Sequence, residues 1–245
     1  MSGHSRWSQI KHKKAITDAK RGKIFTLLGN AITLAAREGG DPASNFKLKA
    51  AIEKARAENM PMQNIDRAIK RGTGELLGAA ISENTYEAFG PSGTALLIKT
   101  ISDNKNRTIS EIRNILTRFG GKLASGGVSH LFETKGIIKI ETRDRDREEL
   151  ELAAIDAGVE DIEEQDNTLT IYTKPQDLFT IKNNLEKQGI KIERAELSLE
   201  PKALVKIDDE KKADAIVKLM NALEESDDVS SVYANFDIPD ELINS

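Results

Sequence analysis

From Lys23 to Met62 the apolar residues recur at helical spacing. Ile24, Leu27, Leu28, Ala31, Leu34 and Ala35 form one stripe, which Gly39-Gly40 ends, and Leu48, Ile52 and Ala55 form a second after a start signal at Asp41-Pro42. Pro61 suits the first turn of a third helix carrying Ile65, Ala68 and Ile69, with Gly72 just past its end. Such short helices bury their stripes only against one another, so the pattern predicts a three-helix bundle. Residues before about Lys20 have few apolar anchors and read as an arm that a partner would order.

After a Gly-rich connection, Thr73 to Ala80, the period changes. Thr94 to Ser102 reads as a buried strand, and Ile109, Ile112, Leu116 and Phe119 as a helix closed by Gly120-Gly121, with Thr108 and Glu111 spaced for a capping box. Val128 to Glu133 reads as another strand, and this unit stops there. A complete pattern follows: strand Gly136 to Thr142, helix Glu148 to Ala157, two strands from Ile162 to Thr173 turning near Asp166-Asn167, helix Pro175 to Lys187 and strand Ile190 to Leu199. That order, βαββαβ, is ferredoxin-like. Leu204 to Ile207, a helix with Ile216, Leu219 and Leu223, and Val229 to Phe236 then give a second strand-helix-strand half.

Neither flanking half can bury a sheet alone. The expected architecture is therefore α+β: a helical domain over 1–80, then two ferredoxin-like βαββαβ domains, with 135–202 inserted into a discontinuous domain formed by 81–134 and 203–245.

Charge separates these regions further. Through Gly72 there are fifteen Lys and Arg against six acids, a surplus of nine; the whole chain carries −4, so everything after Gly72 carries −13. A basic head on an acidic body points to nucleic acid. Arg6, Lys11, Lys13, Lys14, Lys20, Arg21 and Lys23 face a single acid, Asp18, in the first twenty-three residues, with Trp7, His4 and His12 interleaved. Cations beside an aromatic that can stack on a base suit a phosphate backbone or an unpaired nucleotide. Lys70 and Arg71 extend the basic face.

Cysteine is absent, so disulfides, thiolate chemistry and zinc ribbons are excluded. No apolar run approaches the roughly twenty residues of a membrane span. The basic N-terminus lacks the apolar stretch of a secretory signal and runs into a helical pattern without the break of a mitochondrial presequence, so a cytoplasmic protein is expected.

Other motifs carry less. Gly90-Pro91-Ser92-Gly93-Thr94 precedes a strand and lacks a terminal Lys-Ser/Thr, so it reads as a tight turn and not a phosphate loop. His4 and His12 have no third ligand nearby, and His130 reads as structural. The acids Asp156, Glu160, Asp161, Glu163, Glu164 and Asp166 lack the glycine-centred spacing of a calcium loop and read as a solvated face that would repel nucleic acid. In Asp103-Asn104-Lys105-Asn106-Arg107-Thr108, Arg107 at a strand-to-helix junction suits either an anion or ordinary turn and cap chemistry. A nuclease would need paired carboxylates inside the basic region, and its six acids show no such pairing, so no catalytic, metal or cofactor site is expected.

Several motifs together resemble the YebC/PmpR family: Gly3-His4-Ser5-Arg6-Trp7, Ile10-Lys11-His12-Lys13-Lys14, Asp18-Ala19-Lys20-Arg21-Gly22-Lys23-Ile24-Phe25, Asn59-Met60-Pro61, Arg67-Ala68-Ile69-Lys70-Arg71-Gly72, Tyr86-Glu87 and the 103–108 loop. The resemblance spans the chain. It implies a three-domain cytoplasmic protein that regulates gene expression without catalysis, as a DNA-binding transcriptional regulator or as a ribosome-associated translation factor binding RNA. Charge alone does not separate DNA from RNA.

Overall fold

A computed structural model describes residues 18–78, 80–142, 147–165 and 167–242, with the side chains of 18–21, 165 and 240 excepted. Three helices come first: α1 (Asp18–Ala36), α2 (Phe46–Ala57) and α3 (Met62–Gly72). Their core is Leu28, Ile32, Ala36, Leu48, Ile52, Ala55, Met60, Ile65 and Ala68. Burying Ile32, Leu48 and Ile65, each at most 1% exposed, stabilises the bundle by about 1.5–3 kcal/mol apiece.

The junctions between these helices differ from the expected start signals. Helix α2 begins after Asn45, not at Asp41-Pro42, because the buried Asn45 amide bonds on both sides. Its Oδ1 accepts from Leu48 N at 3.0 Å, and its Nδ2 donates to the carbonyls of Ala35 and Gly39 at 2.7 Å each. One side chain thus caps α2 and ties it to the end of α1. Helix α2 ends at Ala57, and just beyond it Asn59, with a φ of 58°, lets Met60 N reach Ala55 O and its own N reach Arg56 O, both at 2.9 Å.

Two four-stranded antiparallel sheets follow. The first has the order β3-β1-β2-β9, from β1 (Ser82–Phe89), β2 (Ala95–Ser102), β3 (Lys122–Leu123) and β9 (Val229–Ala234). Helices α4 (Lys105–Arg118) and α7 (Glu210–Glu225) pack on one face, where Ala88, Leu96 and Ile98 meet Ile112, Leu116, Ile216 and Leu219. The second sheet has the order β5-β6-β4-β7, from β4 (Phe132–Glu141), β5 (Asp161–Gln165), β6 (Thr168–Thr173) and β7 (Ile192–Pro201), under α5 (Arg147–Asp156) and α6 (Leu178–Lys187). This is the predicted βαββαβ order with its ferredoxin-like strand arrangement. A short parallel pair, β8 (Val205–Lys206) with β10 (Phe236–Asp237), stands apart from both sheets.

Three elements depart from the sequence pattern. Strand β1 has too few apolar residues for clear alternation, only Tyr86 and Ala88 being buried in it, yet it pairs with β2 along its whole length. Val128 to Glu133 is not a strand: Ser129–Leu131 is a 3-10 turn, and β4 starts at Phe132 and runs through Gly136. The third is β8, which pairs with β10 and lies outside the first sheet; the two central strands of that sheet are joined, as expected, by the 90–94 turn, in which Gly90 N bonds Thr94 O at 2.8 Å.

Glu87 on β1 anchors the segment that leads into β4. Its carboxylate accepts from Val128 N at 2.6 Å and from the Ser129 hydroxyl, and those bonds hold its pKa below the ordinary Glu value. A carboxylate with a depressed folded pKa stabilises above its unfolded pKa and loses that contribution as pH falls through the folded one. Replacing Glu87 by Gln is expected to cost about 1–2 kcal/mol near neutral pH and nothing at strongly acid pH, read from melting temperature against pH. A difference that stays constant across the acid range would refute the assignment.

Candidate nucleic-acid interface

Helix α3 organises the polar surface of the head. Ile65 and Ala68 are buried and Ile69 and Gly72 are partly buried, so Arg67, Lys70 and Arg71, at i, i+3 and i+4, share the opposite face, and all three are exposed. Arg67 completes a ridge that the sequence reading had limited to Lys70 and Arg71; its signal was the two-residue offset from the buried Ile65. Lys70 and Arg71 also lie in the last turn, where the helix dipole favours cations. Lys49 and Arg56 on α2 are exposed as well, whereas Lys47 pairs with Glu38 at 2.6 Å and Lys54 with Glu196 at 3.9 Å. Such exposed pairs contribute little to stability.

The other expected contacts divide into three groups. Arg6, Trp7, Lys11, Lys13 and Lys14, with His4 and His12, lie outside the described residues. Lys20 and Arg21 fall in the first turn of α1. Lys23 and Arg107 are brought together at the junction of head and first sheet, bonded to acceptors of this chain.

Lys23 Nζ donates to the backbone carbonyls of Glu224 and Ser226 at the end of α7. A cation there meets carbonyls that the helix leaves unpaired. Two residues on, Asp228 accepts from Arg107 Nη2 at 3.0 and 3.1 Å and from the Thr108 hydroxyl at 2.7 Å. Arg107 also bonds Asp103 at 3.1 Å. The Asp228 hydrogen bond is the main reason that the Arg107 pKa rises above its already high value. Burial, and then the charge of Asp228, push the Tyr86 phenol up, so it stays neutral.

Asn104 forms the cap of α4, accepting from Arg107 N at 3.1 Å, which replaces the expected Thr108-Glu111 box. Thr108 already lies inside the helix, where its hydroxyl shares its one proton between Asp228 and, at 3.0 Å, Asn104 O. The 103–108 loop therefore has turn and cap chemistry, with Arg107 clamping α4 to the turn before β9.

Along the helices, the positions of Lys20 and Arg21 and those of Lys70 and Arg71 are well separated. Gly72 faces Thr33 and Ala36 of α1. At 1.5 Å per residue, Lys70 and Arg71 then stand roughly 20 Å along α1 from Lys20 and Arg21. That distance corresponds to about six phosphates along one duplex strand, at 3.4 Å each. Among the described residues, no group of three or more His, Asp and Glu is arranged to hold a metal ion, and no helix is long and apolar enough to cross a membrane.

Comparison with known proteins agrees over almost the whole chain. Residues 5–75 match the TACO1/YebC protein N-terminal domain, and residues 81–236 match the TACO1/YebC second and third domain. A "Probable transcriptional regulatory protein" of Halothermothrix orenii is 51% identical, covering 99% of this chain and 98% of its own. One of the same name from Aquifex aeolicus is 49% identical with the same coverage. The crystal structure of a conserved hypothetical protein from Aquifex aeolicus, 48% identical, superposes with a TM-score of 0.86 over 96% of this chain and 98% of that one. With both domain models matched and relatives near half identity from end to end, the chain belongs to the TACO1/YebC family.

Proposed function

We propose that this chain is a non-enzymatic, DNA-binding regulator of transcription that acts in the cytoplasm. The observation that carries the reading is the charge segregation: a surplus of nine positive charges through Gly72, including the exposed ridge of α3, against −13 in the remainder. The name shared by the relatives from Halothermothrix orenii and Aquifex aeolicus supports transcription as the process. In this reading Arg6, Lys11, Lys13, Lys14, Lys20 and Arg21 neutralise phosphates, Trp7 stacks or wedges, and Arg67, Lys70 and Arg71 extend the track. Lys23, bonded at the end of α7, sets the angle at which the head is presented, while Arg107 holds α4 to the turn before β9. The acidic body, divided into 81–134 with 203–245 and an inserted 135–202, repels nucleic acid and leaves the head as the favourable contact.

Retardation of a genomic duplex library with excess unrelated duplex tests the proposal. A subset of sequences should resist competition. Co-sedimentation with ribosomes at moderate salt, without selective retardation, would replace DNA by ribosomal RNA as the partner. Sustained cleavage of plain DNA or RNA that chelation abolishes would overturn the non-enzymatic assignment.

A further inference from the structure

Helix α5 turns an apolar edge to solvent. Leu150 and Ala154 are fully buried under the second sheet, whereas Leu152 and Ile155, one turn apart, are each 61% exposed. Ile155 also lines a groove of about 400 Å³, with Val159 and Ile162 along it and Glu151, Glu160 and Glu164 among its walls. Arg147, the cation lining it, is bonded to Glu151 at 3.0 Å and to Glu164 at 2.6 Å. From Arg147 to Glu164 the chain holds eight acids against that one cation.

Exposed Leu and Ile cost nothing singly, but here they adjoin a groove with a strongly negative rim, which excludes nucleic acid and favours a cationic protein surface. We propose that this groove docks a basic amphipathic segment of a protein partner, with apolar side chains on Leu152 and Ile155 and Lys or Arg against the acidic rim. The occupant follows from charge complementarity: a neutral apolar segment would leave the rim carboxylates facing uncharged groups. The head touches this unit elsewhere, through Phe46 edge-on to Phe179 with ring centres 5.0 Å apart and through Lys54 on Glu196, so nucleic acid and partner can be held together.

The test uses the full chain free of nucleic acid and a fluorescent synthetic peptide of about eighteen Leu and Lys residues at helical spacing, beside a peptide of the same composition in scrambled order. The ordered peptide should bind, and more weakly as salt rises. The scrambled peptide should bind at least tenfold more weakly, as should the ordered one to a Leu152→Ser, Ile155→Ser double variant. Glu160→Lys, which leaves the apolar residues alone, should also weaken binding and serves if the double variant does not fold. No binding, equal binding of the two peptides, or affinity unchanged in folded variants would overturn the proposal. Self-association of the wild type in sedimentation that the double variant lacks would assign the groove to a second copy of this chain instead.

Discussion

Replacing Lys13, Lys14, Lys20 and Arg21 together by Glu is expected to weaken nucleic-acid binding by two to three orders of magnitude at moderate salt, with the fold intact. The estimate follows from counterion release: each phosphate contact adds about 0.9 to the slope of log K against log salt on a duplex, or about 0.7 on a single strand. Loss of four contacts should flatten the slope by roughly 3.6 or 2.8, which also distinguishes the two kinds of partner. Lys23→Met provides the contrast. Its ammonium is bonded to the Glu224 and Ser226 carbonyls, so the slope should stay near the wild-type value while amide exchange rises at the end of α7 and the start of α1. Salt titrations of wild type and both variants, with circular dichroism as the folding control, decide the matter. An unchanged slope in a folded quadruple variant would reduce the basic arm to a solvated surface.

Gly72→Val should unfold the head more than any surface substitution. A Cβ at Gly72 would lie 2.5 Å from the Ala36 Cβ and 2.5 Å from the Thr33 carbonyl oxygen, and the latter is backbone that cannot swing aside. Helices α1 and α3 are held at this separation by the Thr33 hydroxyl, which donates to Ala68 O at 3.1 Å. Overpacking such a contact costs about 1–3 kcal/mol and occasionally more. Even Gly72→Ala should destabilise, although Ala in a helix is normally better than Gly by about 1 kcal/mol. Hydrogen exchange of the α1 and α3 amides should accelerate, and nucleic-acid affinity should fall with it. A Gly72→Ala variant more stable than wild type would show that the helices have room.

Much of this architecture was legible in residue order because it depends on local periodicity. The stripe Leu48, Ile52 and Ala55 and the pair Ile65 and Ala68 are buried as their spacing requires, and α7 buries Ile216, Leu219 and Leu223. The βαββαβ run through β4 to β7 was readable for the same reason: each strand is long enough to alternate and each helix to repeat. Strand β1 was not, because Ser82 to Thr85 offers the sheet hydrogen bonds and little apolar surface. The shift from Asp41-Pro42 to Asn45 has a similar cause. Several residues there have cap chemistry, and only the carbonyls of Ala35 and Gly39, within reach of Asn45 alone, select among them.

For function, the sequence by itself determined the sign and placement of charge, since Lys, Arg, Asp and Glu carry their charges wherever the chain puts them. It therefore carries the proposal that the head and not the body takes nucleic acid. It could not assign each cation a partner, because partners are contacts across long stretches of chain. Tertiary structure alone decided that Lys23 meets the end of α7 and that Arg107 is held by Asp228. The physical reason is distance: a cation already hydrogen-bonded to a carboxylate or carbonyl of its own chain must give up those bonds before it can take a phosphate, and only the fold sets which acceptors lie within reach.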